Sequence, residues 1–204
     1  MSSFALEQKI FTKGFTTIGG IDEAGRGPLA GPVVAACVAC HNGWKPNRKK
    51  YKNIKDSKKL SEQGREEQFD LLTNDQDLII GAGLCDHTII DRINILQATF
   101  LAMKKAVASL SQLPEYLLID GRHVIPGLKI KQQAVIHGDD LVFLIAAASI
   151  VAKVTRDQIM HEQHQRYPQY NFCQHKGYGT KEHLALLKQF GPSLIHRLSF
   201  SPLS

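Results

Sequence analysis

Apolar runs with the period of strands alternate along this chain with segments of helical period. The run Val33-Val34-Ala35-Ala36-Cys37-Val38-Ala39-Cys40 is apolar on both faces, the pattern of a strand in a sheet covered on both sides. Similar reasoning predicts strands over 16–21 and 32–40, joined by a Gly-rich turn, and further strands over 78–84, 116–119 and 132–136. Residues 61–72 read as a helix capped by Ser61, with Phe69 and Leu72 facing inward. Ile89, Ile93, Leu96, Phe100, Met103 and Val107 recur at three and four residues and predict one long helix over 88–110. A helix over 141–167 starts apolar all round, so its first half is expected to be buried. A last helix, 181–190, is stopped by Gly191-Pro192. Residues 1–15 read as a variable lead-in.

Strands early and helices late over one core indicate an α/β or α+β domain. The 204 residues suit a single domain, 1–204, with a core over about 16–167 and a helical C-terminal part over about 168–204. The chain is basic, with a net charge of +6, which favours polyanionic partners: nucleic acid first, a membrane surface second. The longest apolar stretch, 141–152, is too short to span a bilayer, and residues 1–10 lack a signal-peptide core. A soluble, cytoplasmic monomer is expected. Cys37 and Cys40 would point to opposite faces of one strand, which suits neither zinc nor a redox turn, so reduced thiols are expected.

Three strands deliver carboxylates at or just beyond their ends. Asp22 and Glu23 follow the first, Asp120 closes 117–119, and Asp139 follows 134–136 at a helix start. Taken singly, Asp139 could be a helix cap and Asp120 a turn residue. Convergent acids cannot all stay ionised without cations, and oxygen-only ligands select Mg2+ or Mn2+. Such a cluster has room for two ions roughly 4 Å apart, the spacing that clamps in-line attack on a phosphodiester.

Around the acids lie groups suited to nucleic acid. Gly25, Arg26 and Gly27 let backbone approach a bulky ligand beside a fixed positive charge. Ser149, Lys153 and Arg156 share one helical face at i, i+4 and i+7, spaced for successive phosphates. Tyr178, between Gly177 and Gly179 and near His175 and Lys176, either stacks on a sugar or base or belongs to an ordinary tight loop. The connection 42–59 is strongly basic, with Trp44 and Tyr51 interleaved, and its part 42–55 is expected to add non-specific duplex affinity.

The segment Gly20-Ile21-Asp22-Glu23-Ala24-Gly25-Arg26-Gly27-Pro28-Leu29-Ala30-Gly31 resembles the signature of type 2 ribonuclease H, in particular bacterial ribonuclease HII. Asp56-Ser57-Lys58-Lys59-Leu60-Ser61, Asn94-Ile95-Leu96-Gln97-Ala98-Thr99, the stretch from Ala146 to Asp157, His175-Lys176-Gly177-Tyr178-Gly179-Thr180 and His196-Arg197-Leu198-Ser199-Phe200 agree in order and spacing. The resemblance spans about 17–202. It implies a ribonuclease H-like mixed β-sheet flanked by helices, with a helical C-terminal region. It also implies an endonuclease that cuts RNA in RNA–DNA hybrids, and 5′ of ribonucleotides embedded in duplex DNA, leaving 5′-phosphate and 3′-hydroxyl ends. Asp22, Glu23, Asp120 and Asp139 would be the catalytic carboxylates and the ligands of two Mn2+ or Mg2+ ions. Gly25, Arg26, Gly27 and Tyr178 would read the 2′-hydroxyl at the RNA-to-DNA junction, and Lys58, Ser149, Lys153 and Arg156 would bind phosphates. Changing Gly25 or Gly27 to a β-branched residue is expected to harm ribose discrimination more than folding. One departure stands out. Where the family has a small and then a basic residue after Gly138-Asp139, this chain has Asp140-Leu141-Val142-Phe143-Leu144.

Overall fold

The computed structural model of the chain describes residues 3–47, 49–51, 53–54 and 60–203. Five strands form one mixed sheet: β1 (Thr17–Ala24), β2 (Val33–His41), β3 (Leu78–Cys85), β4 (Tyr116–Asp120) and β5 (Lys131–Val135), in the order β3-β2-β1-β4-β5. β1 pairs antiparallel with β2, from Thr17–His41 to Ala24–Val34, and parallel with β4; β5 runs parallel to β4. The helices are α1 (Ala5–Phe11), α2 (Glu62–Thr73), α3 (His87–Ile93), α4 (Ile95–Ala108), α5 (Gly138–Leu141), α6 (Phe143–Arg166), α7 (Phe172–His175) and α8 (Lys181–Phe190).

The doubly apolar β2 is covered on both faces, as its sequence demands. Ala36, Val38 and Cys40 pack with α6 and α1, while Ala35 and Cys37 pack with α4, so the two cysteines do point opposite ways. The buried first half of α6 crosses β1 at Gly20, where a Cβ would lie 2.3 Å from the Leu144 carbonyl carbon. Only a glycine there lets the helix seat on the strand. The greasy Val142-Phe143-Leu144 is buried at this seat, which gives the departure from the family pattern a packing role.

Several elements differ from the periodicity. Residues 1–15 include α1, whose Ile10 and Phe11 are buried in the core. The expected helix over 88–110 is two helices, because Asn94 adopts φ +67° and its side chain accepts a hydrogen bond from the Gln97 amide at 3.1 Å. The helix over 141–167 is observed as the single α6, two residues shorter at its start and one at its end. Val142 is extended and bridges Ser3, which leaves the short α5 as a separate turn. Asp22 and Glu23 lie inside β1 rather than beyond it. Trp44 and Tyr51 turn inward, each ring 5.5 Å from Phe143: Tyr51 is buried in the core and Trp44 packs half-buried against it. Among the described residues, no helix is long and apolar enough to cross a membrane.

Candidate active site and nucleic-acid groove

The parallel register that pairs Ile21 with Ile119 brings Asp22 and Asp120 side by side at the carboxyl ends of β1 and β4, on one face of the sheet. α5 begins three residues past β5, and the Gly138 amide donates to Asp120 Oδ1 at 2.7 Å. That bond ties Asp120 to the turn that carries the buried Asp139. Asp22 is buried, and its Oδ1 accepts from the Glu23 amide at 2.7 Å. Burial pushes its carboxyl well above the usual range; the charges of Glu23 and Asp120 push it further, against a hydrogen bond from Ser149. Glu23 is also raised, by burial first and by Asp120, although Arg26 at 3.1 Å pulls the other way.

Among the described residues, no three acids, histidines or cysteines are grouped so as to hold a metal ion as they stand. The donor set nevertheless fits a divalent cation. It is all oxygen, and the charge on the buried Asp22 is opposed by its own neighbours, Glu23 and Asp120.

The turn 25–32 joins β1 to β2. Two arginines, both wholly buried, hold it from behind. Arg156 donates from Nε to the Pro32 carbonyl at 3.0 Å, and from Nη2 to those of Ala30 at 3.2 Å and Lys176 at 2.9 Å. Arg197 donates to the carbonyls of Gly31 at 3.0 Å, Arg26 at 3.0 Å and Gly25 at 2.6 Å. Burial lowers both guanidinium pKa values, that of Arg197 to about 9. Arg156 is therefore a brace for the turn, and the phosphate role expected from its helical spacing does not survive its burial. Spacing placed it on the face with Ser149 and Lys153, but that face curls under the turn one helical step later.

A groove of about 410 Å³ opens between the acids and this turn, lined by Glu23, Ala24, Gly25, Arg26, Gly27, Arg65, Ser149, Lys153 and Tyr178. Ser149 and Lys153 therefore stand where the sequence put them, with Lys153 also paired to Asp157 at 2.6 Å. Tyr178 is exposed at the rim, its ring 5.8 Å from the Arg156 guanidinium carbon, while His175 and Lys176 beside it turn inward. Lys58 and most of its segment lie outside the described residues. On the far side of Glu23 a hollow of about 80 Å³ is lined by Arg26, Asp120, Arg122 and His123 among others.

Sequence reasoning missed Arg65, Arg122, His123 and Arg197. Arg65 had a signal, being one helical turn beyond the Ser61 cap. Arg122 and His123 directly follow Asp120. Arg197 had none beyond its place in a matching segment, since its partners are main-chain carbonyls.

The family model described as Ribonuclease HII matches residues 19–202. The chain is 50% identical over 204 residues to the ribonuclease HII of Chlamydia caviae, covering all of this chain and 92% of that one. The crystal structure of the ribonuclease H2 from Pyrococcus horikoshii OT3 superposes with a TM-score of 0.73 at 26% identity, over 92% of this chain and 95% of the other. Bst-RNase HIII, solved in complex with Mn2+, has a TM-score of 0.62 at 16% identity over 92% of this chain and 68% of that one, a likeness of fold alone. Matched along nearly its whole length and built on the same sheet, the chain belongs to the ribonuclease HII family, and it is a type 2 ribonuclease H, an endonuclease acting on RNA–DNA hybrids.

Proposed function

We propose that this enzyme cuts the RNA strand of hybrids and also the 5′ side of single ribonucleotides embedded in duplex DNA. The products would carry 3′-hydroxyl and 5′-phosphate ends. Asp22, Glu23, Asp120 and Asp139 would hold two divalent ions, Mg2+ or Mn2+. When bound, the ions supply the positive charge that favours hydroxide as nucleophile and steadies the leaving oxygen.

The chain's own residues prepare this chemistry. Ser149 and the Glu23 amide aim the Asp22 carboxylate, and the Gly138 amide aims that of Asp120. Arg26 restrains Glu23 at the junction of acids and turn. The turn Gly25–Gly27 offers backbone rather than side chain, the surface that approaches a ribose 2′-hydroxyl closely. Tyr178 stands across from Gly27 and would meet the sugar or base at the RNA-to-DNA junction. Lys153, Ser149 and Arg65 would take phosphates along the groove.

The observation that carries this reading is that Glu23 belongs to both halves. It is one of the mutually repelling acids and it lines the groove with Gly25, Gly27 and Tyr178. The test is a duplex with one embedded ribonucleotide, its product ends mapped, cut by wild type and by Asp120→Asn. Wild type should cut once, 5′ of the ribonucleotide. Asp120→Asn should still bind but lose cleavage by at least about a hundredfold. Cutting elsewhere, or wild type that binds hybrid and never cuts it with Mg2+ or Mn2+, would sink the reading.

A further inference from the structure

Behind Tyr178 lie three buried imidazoles that the chemistry above does not use. His175 and His183 stack with ring centroids 4.3 Å apart, and His183 Nε2 lies 3.0 Å from His196 Nε2. Their partners fix each proton. The Ser193 amide donates to His196 Nδ1 at 2.8 Å, so that nitrogen is bare and Nε2 carries the proton. His183 Nδ1 faces the Tyr178 carbonyl oxygen at 2.9 Å, so Nδ1 carries the proton and Nε2 is bare. The two Nε2 atoms are thus a matched donor and acceptor, running from His196 to His183. His175 repeats the logic: its Nδ1 accepts from the Gly177 amide at 3.1 Å and its Nε2 donates to the Tyr170 carbonyl at 2.7 Å.

Only neutral rings satisfy this set, since a second proton on His183 would set N–H against N–H. Burial holds all three below the usual histidine range, His196 at about 4. Of the charged and titratable groups around them, Glu182 favours the charged form of His175 and His183, while His164 opposes charge on His175 and His87 opposes it on His196.

The peptide that carries Tyr178 is pinned at both ends by this cluster. Its amide donates to the His175 carbonyl at 2.9 Å, and its carbonyl accepts from His183 beside a local bond from the Thr180 amide at 2.8 Å. We infer that His183 and His196 are positioning residues for Tyr178: the relay from Ser193 through both rings fixes the Tyr178 carbonyl and so holds the aromatic ring over the groove, where it grips a ribonucleotide junction. The inference rests on the reading of Tyr178 as a junction contact.

The test compares His183→Leu and His196→Leu with two variants that keep the essential N–H. His183→Asn keeps a donor at the place of Nδ1, and His196→Gln keeps one at the place of Nε2. KM and kcat are measured on the duplex with one embedded ribonucleotide, beside Tyr178→Ala, and nitrogen-15 spectra of the wild-type rings report the tautomers. The leucine variants should raise KM about 3- to 10-fold, the worth of one hydrogen bond, with kcat changed less than about twofold. The asparagine and glutamine variants should recover most of that loss. The spectra should show neutral rings at pH 7, protonated on Nδ1 in His183 and on Nε2 in His196. The opposite tautomers overturn the relay outright, and this holds even if a leucine variant fails to fold. Folded leucine variants with wild-type KM, alongside a Tyr178→Ala that raises it, overturn the inference alone. A Tyr178→Ala without effect overturns the reading of Tyr178, and the inference with it.

Discussion

A methyl group placed on Gly25 or on Gly27 separates the frame of the recognition turn from its working surface. Gly25 has φ +92°, and a Cβ there would lie 2.1 Å from Arg156 Nε and 2.7 Å from the Pro32 carbonyl oxygen. Backbone strain of this kind costs about 1–3 kcal/mol. The clash also drives Arg156 off its three carbonyl bonds, at 2.9 to 3.2 Å, and a bond with a charged donor is worth about 1.5–3 kcal/mol. With only one bond lost, Gly25→Ala costs about 3–5 kcal/mol and lowers the melting midpoint by roughly 6–20 °C for a chain of this size. At Gly27 the nearest atom to a Cβ is Tyr178 Cε1 at 3.8 Å, an ordinary contact. Gly27→Ala should therefore change stability by no more than about 0.5 kcal/mol. Its methyl would stand in the groove, where a misplacement of about 1 Å costs on the order of a hundredfold in rate. Thermal melts by circular dichroism, with cleavage of the singly substituted duplex, read both effects. The structure thus moves Gly25 out of the expectation that both glycines act on discrimination more than on folding. A Gly27→Ala protein that melts as early as Gly25→Ala, or that cleaves like wild type, would refute the division.

Glu7 supplies a prediction from pH. It is buried, accepts from the Leu144 amide at 3.0 Å at the start of α6, and burial raises it from 4.5 to about 7. The unfolded chain ionises first, so stability is full below about pH 4.5 and is lost as pH rises through about 7, by roughly 3 kcal/mol at pH 8. Glu7→Gln should remove that slope in urea unfolding at pH 5 and pH 8; equal slopes in both proteins count against it. Arg197→Met strands the carbonyls of Gly25, Arg26 and Gly31 and should cost about 3–5 kcal/mol by chemical denaturation. Arg197→Lys should recover little, because a single ammonium cannot serve three carbonyls in the plane of a guanidinium. A chelator should stop cleavage while hybrid binding, followed by fluorescence anisotropy, persists and the melting midpoint falls by less than about 2 °C.

Much of the sheet was legible because β2, β3 and β4 are largely apolar runs with little else to be. The doubly apolar β2 even announced its two covered faces. The break at Asn94 was hidden for a physical reason: a left-handed cap between two helices left Ile93 and Leu96 in phase, so periodicity ran through it. α1 is too short to show a stripe, and it is ordered by packing and by Glu7 rather than by its own pattern. In the site, the four acids could be read because charge at the end of an apolar strand is costly and therefore conspicuous. The braces could not. Arg156 and Arg197 bond to carbonyls, which every residue has, and a buried guanidinium looks on paper like a solvated one. The histidine relay is hidden in the same way, since its partners are an amide, a carbonyl and another ring.

These hidden groups bear on why the visible ones work. Asp22 is buried among acids, and Arg156 and Arg197 are buried together, close enough to depress Arg197. The two sets flank one turn, yet none of the hydrogen bonds of Arg156 or Arg197 goes to an acid of the site; every one of them goes to a main-chain oxygen. Had they paired with the acids, each would have cancelled the other, and the acids would have had less pull on a cation. Kept apart, the acids would be left to draw divalent cations in the proposed reaction, while Arg65 and Lys153 face the groove where the phosphate would lie. Among the described residues, the exposed Arg26 bridges the halves, at Glu23, and its side chain is half open to solvent. An exposed pair of that kind is worth at most about 1 kcal/mol, so an arriving ion or phosphate can displace it. The stronger positive charges stay buried behind the turn, where no ligand need disturb them.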